Sequence, residues 1–161
     1  MLFVSCSGCS RNLNLLPLFR AEISLAPPQE LGGTPQGRRR IINITGGSFR
    51  GARLSGRVLP GGADWQVIRA DGVADLDARY TLETSDGALI YVRNHGYRHG
   101  PADVLKKLAA GEDVDPSLYY MRTSPLFETG DPRYAWLNRL ICVGTGARRK
   151  SSVELEVFEI K

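Results

Sequence analysis

The sequence predicts an all-β protein with one short helix, folded as a single antiparallel β-barrel of about 8–10 strands that is lipocalin-like in general architecture. Two observations predict this fold. Many short segments alternate apolar and polar residues, and turn residues separate these segments at intervals of roughly 8–12 positions. Closure into a barrel removes the exposed edges that so many half-buried strands would leave. A barrel of this size can also enclose one small ligand.

The length and composition fit one globular domain. The chain has 161 residues, of which 42% are hydrophobic and 24% charged, so it can bury a sizeable core and is too apolar to be disordered. No apolar run approaches the roughly 20 residues that a membrane-spanning helix needs, so we predict no membrane partner. We expect residues 1–15 to be a non-structural N-terminal extension and residues 16–161 to form the barrel domain.

The formal net charge of +4 is unevenly distributed. Six arginines and no acidic residue lie between Leu31 and Ala63, so this segment carries the positive charge and the rest of the chain is mildly acidic. We interpret this charge as a local surface or pocket-rim property and predict no nucleic-acid partner. Residues 38–40, three consecutive arginines, resemble a small nucleic-acid patch, but an edge strand protected by charge is the favoured interpretation.

The cysteine count gives no disulfide framework. The three cysteines are Cys6, Cys9 and Cys142, an odd and low number that is typical of a reducing compartment, so we expect a cytoplasmic protein. Cys6 and Cys9 have the spacing of a redox or zinc motif. They lack both the further ligands that zinc needs and the βαβ context of a redox site. We therefore predict no metal.

In the first half of the chain, four segments read as strands: residues 19–25, 38–45, 49–59 and 64–70. The glycine-rich residues 32–37 are predicted to form a linker, and Gly46 with Gly47 a turn. In the second half, one helix begins after Pro101, carries Val104, Leu105 and Leu108 on one face and ends at Gly111. Strand character returns at residues 118–123, 134–144 and 153–160.

The strictest alternation lies at residues 74–83, whose even positions are apolar and whose odd positions are polar. The next strand, from Ala88, again has its apolar residues at even positions. Keeping both apolar faces on one side of the sheet requires pairs such as Leu82 with Ile90 and therefore a loop with an odd number of residues. We predict a three-residue loop, residues 85–87, with Gly87 left-handed and bulged.

Several runs together resemble one known family. They are Ile44-Thr45-Gly46-Gly47-Ser48-Phe49, Pro60-Gly61-Gly62-Ala63-Asp64-Trp65, Leu76-Asp77-Ala78-Arg79-Tyr80 and Tyr134-x-Trp136-Leu137-Asn138. With Tyr120-x-Arg122-Thr123 and Phe127-Glu128-Thr129, they are similar to the uncharacterised family DUF3237, also known as UPF0311. The resemblance covers about residues 16–161. It implies a small, self-associating β-barrel, a homo-oligomer without an established general activity.

One polar strand face is a candidate pocket lining. Its members are the odd-numbered residues Asp75, Asp77, Arg79, Thr81 and Glu83 with Tyr91, Arg93 and His95 on the following strand. Facing outward, they would form a solvated surface with weak cross-strand ion pairs. Facing inward, paired charges and a tyrosine would line a polar ligand pocket. The side of the sheet on which this face lies decides between the two, because all eight residues switch together.

Other candidates combine aromatic rings with polar groups. Asp64 and Trp65 follow a glycine turn at a strand start, where the tryptophan could form an apolar wall and the aspartate a base. The alternative is a core tryptophan with a capping aspartate. A further ligand-binding set comprises Tyr120, Arg122, Glu128, Trp136 and Asn138, which could bind an anionic or aromatic metabolite. Its alternative is a core aromatic layer in which Arg122 pairs with Glu128 or Asp131.

Two functional hypotheses follow. In the first, the barrel binds a small hydrophobic metabolite with a polar handle, and Asp64 with Tyr91 and Arg79 (or Arg122) performs isomerase-, cyclase- or hydratase-type acid–base chemistry. This hypothesis predicts a cavity of several hundred Å³ lined by Asp64, Trp65, Arg79 and Trp136. The second is a non-catalytic oligomeric or partner-binding module with a filled interior. No nucleophile–base pair or phosphate loop is visible, and His95 with His99 lacks a zinc-site context, so we predict no cofactor.

Overall fold

Ten strands and one α-helix make up residues 12–161, the part of the chain that the computed structural model describes. The first six strands are β1 (Leu15–Leu25), β2 (Gln29–Thr34), β3 (Gly37–Arg50), β4 (Ser55–Val58), β5 (Ala63–Ile68) and β6 (Ala74–Thr84). The others are β7 (Leu89–His99), β8 (Tyr120–Glu128), β9 (Cys142–Arg148) and β10 (Ser152–Ile160). Helix α1 (Ala102–Ala109) follows β7, and two 3-10 segments lie at Pro116–Leu118 and Pro132–Arg139.

The strands form one antiparallel sheet that closes into an eight-position barrel. Around the ring the order is β1, β10, β9, β8, β7, β6, then β5 and β4 in one position, then β3. The pairing of β3 with β1 closes the ring, and β2 pairs with β3 beyond the end of β1. The predicted all-β fold with a single antiparallel barrel is confirmed, and α1 is the predicted short helix.

The hairpin between β6 and β7 follows the parity argument. Leu82 pairs with Ile90 in the register, and Gly87 has a φ of +85°. The Thr84 N–H donates to the Ala88 carbonyl at 2.9 Å, and the Gly87 N–H donates to the Thr84 carbonyl at 2.9 Å. The three-residue loop with a left-handed glycine is confirmed.

Gly46 and Gly47 do not form the predicted turn, because β3 continues through them. A Cβ atom on Gly47 would lie 2.1 Å from the carbonyl oxygen of Glu22, so its glycine allows the backbones of β1 and β3 to approach at the seam that closes the barrel. The chain turns later, where the Gly51 N–H donates to the Leu54 carbonyl at 2.8 Å. The prediction of a turn was wrong because glycine serves here for close packing.

The predictions for residues 32–40 also need correction. Residues 32–37 are not a linker but the end of β2 and the turn into β3. Residues 38–40 are not an edge strand, because this part of β3 pairs with β2 on one side and β5 on the other.

The predicted strand at residues 134–144 is largely a 3-10 segment, Pro132–Arg139, and β9 begins only at Cys142. Asp131 precedes the segment and its side chain accepts a hydrogen bond from the Arg133 N–H at 2.9 Å, while Pro132 provides a fixed φ at the start. Leu137, 1% exposed, packs against the apolar end of the barrel. Tertiary packing therefore overrides the local strand pattern. Leu118 likewise lies in the other 3-10 segment.

The barrel interior has two halves. One end is filled by apolar side chains such as Phe19, Leu82 and Phe127. At the other end, a smaller cluster that includes Val104 of α1 and Met121 of β8 packs beside the helix. Among residues 12–161, no helix is long and apolar enough to cross a bilayer. Cys6 and Cys9 lie outside the described residues.

The predicted boundary of the extension at residue 15 stays a prediction. Residues 1–11 lie outside the described part of the chain. Asn14 and Lys161 exchange backbone hydrogen bonds of 2.7 and 2.9 Å, and β1 begins at Leu15.

Candidate functional site

Polar side chains gather inside the half of the barrel that lies next to α1. They are Arg40 of β3, Asp64 and Gln66 of β5, Asn94 and Arg98 of β7, Thr123 of β8 and Arg148 of β9. The alternation of each strand turns these residues inward, on the faces that elsewhere carry the apolar core. Buried polar groups are costly unless they are paired, so such a cluster points to a function.

Asp64 is held at both carboxylate oxygens. Its Oδ2 accepts a hydrogen bond of 2.6 Å from Gln66 Nε2, and its Oδ1 accepts one of 3.0 Å from the Asp77 N–H. The β5–β6 register is interrupted between the pairs Asp64–Ala78 and Val67–Asp75, and the carboxylate accepts from a β6 N–H within that interruption. Burial raises the pKa of Asp64, although the hydrogen bonds and the nearby Arg98 and Arg40 act in the opposite direction.

Three arginines, Arg40, Arg98 and Arg148, lie close enough to Asp64 to interact with it electrostatically. Arg40 Nε donates to Gln66 Oε1 at 2.8 Å, and Arg148 Nη1 donates to the Ser152 carbonyl at 2.8 Å. Arg98 is the deepest, at 8% exposed, and burial lowers its pKa to about 10. Burial also lowers the pKa values of Arg40 and Arg148. The charge of Arg40 lowers the pKa values of Arg98 and Arg148, and the charge of Arg148 lowers that of Arg98. The cluster therefore carries more positive charge than Asp64 can neutralise.

Three buried polar atoms of this region have no hydrogen-bond partner: Asn94 Oδ1, Arg98 Nε and Thr123 Oγ1. They lie on the adjacent strands β7 and β8. Buried polar atoms are nearly always paired in native proteins, so unpaired ones grouped in a cluster indicate a place for a ligand or water. The Tyr80 hydroxyl lies beside Asn94, and burial raises the pKa of Tyr80.

The polar interior adjoins an open cleft. The interior cavity is about 40 Å³ and is lined by Asp64, Asn94 and Arg98 among others. The cleft is about 480 Å³, lies beneath α1 and shares Arg98 and Arg148 with the interior cavity. We call it the α1 cleft. Its remaining lining is of two kinds: apolar side chains, Ile42, Ile68, Leu105 and Leu108, and cationic ones, Arg38, Arg40, Lys106 and Lys150.

The structure does not bring the predicted catalytic residues together. Asp64 faces the interior, whereas Arg79 and Tyr91 lie on the outer face of the sheet with Trp65, which is 36% exposed. These three line a surface groove of about 320 Å³ beside the turn at Gly61. Strand parity puts neighbours in sequence on opposite faces, and this separates Trp65 from Asp64.

The polar face of β6 and β7 is solvated, which settles the parity question. His95 Nε2 lies 2.9 Å from Asp75 Oδ1, and Arg79 Nη2 lies 3.0 Å from Asp77 Oδ2, all on partly or largely exposed side chains. The interpretation of this face as a pocket lining was therefore wrong, and the interpretation as an outer surface was correct.

The predicted ligand-binding set is also dispersed. Tyr120, Arg122 and Glu128 lie on the exposed face of β8, where Arg122 Nη1 donates to the Met121 carbonyl at 2.9 Å. At the apolar end of the barrel, the Arg53 guanidinium lies 3.8 Å from the ring centre of Trp136.

Asn138 has a structural role at the same end. Its side chain exchanges two hydrogen bonds of 2.9 Å with the backbone of Thr129. The prediction of one cavity of several hundred Å³ lined by Asp64, Trp65, Arg79 and Trp136 was wrong.

Sequence reasoning missed Gln66, Asn94, Arg98 and Arg148. A signal for two of them exists. The even face of β7 begins with Ile90 and Val92 and then continues with Asn94 and Arg98, so polar residues occupy the face that points to the core. A polar residue in phase with an apolar face marks a buried polar site.

This chain is similar to several proteins of known sequence or structure. A family model described as "Protein of unknown function (DUF3237)" matches residues 13–160. A UPF0311 protein of Rhodopseudomonas palustris is 49% identical over 124 residues, 77% of this chain and 81% of that protein. A crystal structure of a conserved protein of unknown function from Rhodopseudomonas palustris has a TM-score of 0.89 and 41% identity, and covers 94% of this chain and 100% of that one.

A β-barrel-like protein from Acinetobacter baumannii has a TM-score of 0.83 and 48% identity, covering 95% of this chain and 99% of that one. One more distant relative has a named activity. The hydroalkoxylation enzyme phnH of Penicillium herquei is 27% identical over 148 residues, 92% of this chain and 84% of that protein. The crystal structure of an enzyme from Penicillium herquei has a TM-score of 0.72 and 25% identity, covering 96% of this chain and 99% of that one.

Proposed function

The chain belongs to the DUF3237 family, and we propose that it is a small-molecule enzyme that performs acid–base chemistry at the α1 end of its barrel. Asp64 is the proton-transfer group. The observation that carries the proposal is a carboxyl group held at both oxygens inside the barrel, next to a buried arginine, Arg98, whose Nε has no partner.

The environment of Asp64 suits a group that both takes and returns a proton. Burial raises its pKa toward the working pH of a cell, where the carboxylate becomes a stronger base and the carboxylic acid a usable donor. Gln66 and the Asp77 N–H fix its orientation, and each oxygen keeps a lone pair for a substrate.

Arg98 suits the stabilisation of a developing oxyanion. Its guanidinium is already desolvated, so a negative charge formed beside it meets a fixed dipole and charge without a rearrangement of water. Asn94 Oδ1 and Thr123 Oγ1, both buried and unpaired, are available to orient a polar substrate group.

The named activity of the Penicillium herquei relative fits this arrangement. In hydroalkoxylation, the oxygen of a hydroxyl group bonds to one carbon of a C=C bond and its proton goes to the other carbon. The reaction needs neither oxidant nor reductant. For an alkene conjugated to a carbonyl, the hydroxyl oxygen attacks the β-carbon while the Asp64 carboxylate takes its proton. The π electrons move to the carbonyl oxygen, which Arg98 stabilises. Asp64 then returns the proton to the α-carbon and regains its starting state.

A second candidate is a barrel that binds a small molecule without turning it over. It is favoured by the filled apolar half and by the small volume, about 40 Å³, of the cavity that Asp64 lines. In this case a ligand would occupy mainly the α1 cleft, and Asp64 would only shape its inner end. Self-association remains a prediction under both candidates.

The test is Asp64→Asn, with Asp75→Asn as the matched control, because the Asp75 side chain lies on the outer face of β6. Both variants are assayed by NMR in D₂O against hydroxy-enones such as 2′-hydroxychalcone, which close a cyclic ether and take up deuterium at the α-carbon. We expect a loss of about 100-fold or more for Asp64→Asn and wild-type rates for Asp75→Asn. Unchanged turnover in Asp64→Asn would remove Asp64 from the chemistry. If the wild type binds the hydroxy-enones tightly but turns none of them over, the result would favour the second candidate.

A further inference from the structure

The α1 cleft gathers buried and half-buried cations that have no ion pair. Elsewhere, seven arginines pair with carboxylates: Arg20, Arg53, Arg57, Arg69, Arg79, Arg133 and Arg149. The other described cations outside the cleft that form no ion pair are exposed, apart from the half-buried Arg39. The cleft and its inner end are lined by Arg38, Arg40, Arg98, Lys106, Arg148 and Lys150. Within the described part of the chain, none of these six forms an ion pair.

Arg38, Lys106 and Lys150 are exposed, but the other three cations of the cleft are not simply solvated side chains. Arg98 is 8% exposed, and Arg40 and Arg148 are partly buried. Arg40 and Arg148 each donate a hydrogen bond to an uncharged oxygen of the protein. A buried cation without a counter-charge is unfavourable. The nearby carboxylates are Asp64, which acts on Arg40, Arg98 and Arg148, and Glu30, which acts on Arg40. These two carboxylates and one transient oxyanion at Arg98 face six cations, so the cleft keeps an excess of positive charge.

The rest of the cleft is apolar. Ile42, Ile68, Leu105 and Leu108 contribute its hydrophobic lining, and its volume of about 480 Å³ is within the range of small-molecule sites. The cleft thus combines a hydrophobic wall with a ring of unpaired cations, whereas a site for a bare inorganic anion needs no such wall.

We infer that the α1 cleft binds the carboxylate of an organic acid with an apolar body, held by Arg38 and Arg148 while the body packs on Ile68 and Leu105. This inference rests on the proposed function and names its substrate class: the reacting end of the acid reaches Asp64, and the carboxylate stays at the mouth. Arginine suits this role because its planar guanidinium can bind both carboxylate oxygens.

The test measures binding of benzoate, cinnamate and 2-naphthoate by calorimetry, with methyl 2-naphthoate as the neutral analogue and inorganic phosphate as the anion without an apolar body. We expect the three acids to bind in order of ring size. The ester and phosphate should bind at least about tenfold more weakly than 2-naphthoate. Absence of binding by all three acids, equal binding of acid and ester, or phosphate binding as tight as that of naphthoate would overturn the inference.

The residues that follow Arg38 and Arg148 in the sequence supply the controls. Arg38→Gln and Arg148→Gln remove cleft cations, whereas Arg39→Gln and Arg149→Gln make the same change at neighbouring residues outside the cleft. The cleft variants should weaken naphthoate at least about tenfold and leave the ester unaffected, and the controls should bind as the wild type does. Equal losses in both sets would overturn the inference. Arg38 is exposed, so its variant is informative even if Arg148→Gln unfolds.

Asp64→Asn separates this inference from the proposed function. If the carboxylate site exists, this variant binds 2-naphthoate at least as tightly as the wild type, because removing a nearby negative charge does not weaken the binding of an anion. Naphthoate binding that persists while Asp64→Asn keeps full turnover would contradict only the proposed chemistry. Loss of naphthoate binding in Asp64→Asn, with the fold intact, would contradict the placement of the carboxylate at Arg38 and Arg148.

Discussion

Gln66 lies two residues after Asp64 on the inward face of β5, and its Nε2 donates a hydrogen bond of 2.6 Å to Asp64 Oδ2. The other end of the same amide accepts a bond of 2.8 Å from Arg40 Nε. The neutral amide therefore separates a cation from the carboxylate and is bonded to both. Direct contact with an arginine would lower the pKa of Asp64 strongly. The intervening Gln66 lets burial keep that pKa raised.

Replacing Gln66 by leucine should raise the pKa of Asp64 further. The variant loses a hydrogen bond that favours the carboxylate form, and it leaves Arg40 Nε without a partner. A carbon-detected NMR titration of the carboxyl group measures the shift. Urea unfolding should show a loss of about 1–3 kcal/mol for the buried unsatisfied groups. The exposed Gln36→Leu is the control, and a lowered pKa in Gln66→Leu would contradict the role of the amide.

The raised pKa of Asp64 predicts a pH dependence of stability. Between the ordinary pKa of 3.8 and the raised value in the fold, the folded chain holds the Asp64 proton after the unfolded chain has lost it. Stability from this group is therefore present at low pH and is lost as pH rises through that window. The variant Asp64→Asn has no carboxyl group at this position and therefore does not lose this stability as pH rises. Its free energy of unfolding relative to wild type should increase with pH, by about 1.4 kcal/mol for each unit by which the pKa is raised.

Asp86→Asn provides a control of opposite sign. The hydrogen bond from Thr84 is the main cause that lowers the pKa of Asp86, so its contribution is present above the ordinary pKa and disappears as pH falls. As pH rises toward the ordinary pKa of 3.8, the wild type should therefore become more stable relative to Asp86→Asn. As pH rises above 3.8, it should become less stable relative to Asp64→Asn. Urea unfolding from about pH 2 to about pH 7.5 covers both windows, and a stability difference for Asp64→Asn that does not change above 3.8 would show that Asp64 is not desolvated in solution.

Much of the fold follows from strand parity, and the limits of that argument are physical. The pairing of Leu82 with Ile90 is predictable because one face of each strand must stay apolar. The role of Gly47 was not predictable, because glycine is common both in turns and where two backbones approach closely. Only the position of the partner strand decides between the two roles. Trp136 lies in a 3-10 segment because Leu137 packs into the barrel, a tertiary contact that local alternation does not contain.

The candidate site was half predictable. Asp64 was identified from its place after a glycine turn, and it does face the interior. Arg79 and Tyr91 were grouped with it on the condition that the odd-numbered face of β6 and β7 points inward, but that face points outward. Arg98 lies on the face of β7 that points into the barrel. In the sequence, a charged residue at this position looks like the end of the buried part of the strand. Only the structure shows that residues of β3, β5 and β9 lie around it.

Gly47→Ala should destabilise the barrel by about 3 kcal/mol or more. The new Cβ would lie 2.1 Å from the Glu22 carbonyl oxygen, and the φ of +140° is unfavourable for a residue with a side chain. The control is Gly33→Ala, where no atom lies within 4 Å of the added carbon, and which should be neutral or slightly stabilising. Equal midpoints for the two variants in urea unfolding would show that β1 and β3 do not form the tight seam described above.

Arg98→Met should separate stability from function. Methionine fills a similar space without the cost of burying an unpaired guanidinium, so the ligand-free variant should be as stable as the wild type or more stable by about 1–3 kcal/mol. Turnover should fall by about 100-fold or more, because the developing oxyanion loses its charge partner. Arg93→Met, on the outer face of the same strand, should change neither quantity. A marked loss of stability with unchanged turnover in Arg98→Met would instead make Arg98 a structural residue, and the unpaired Nε would need another explanation.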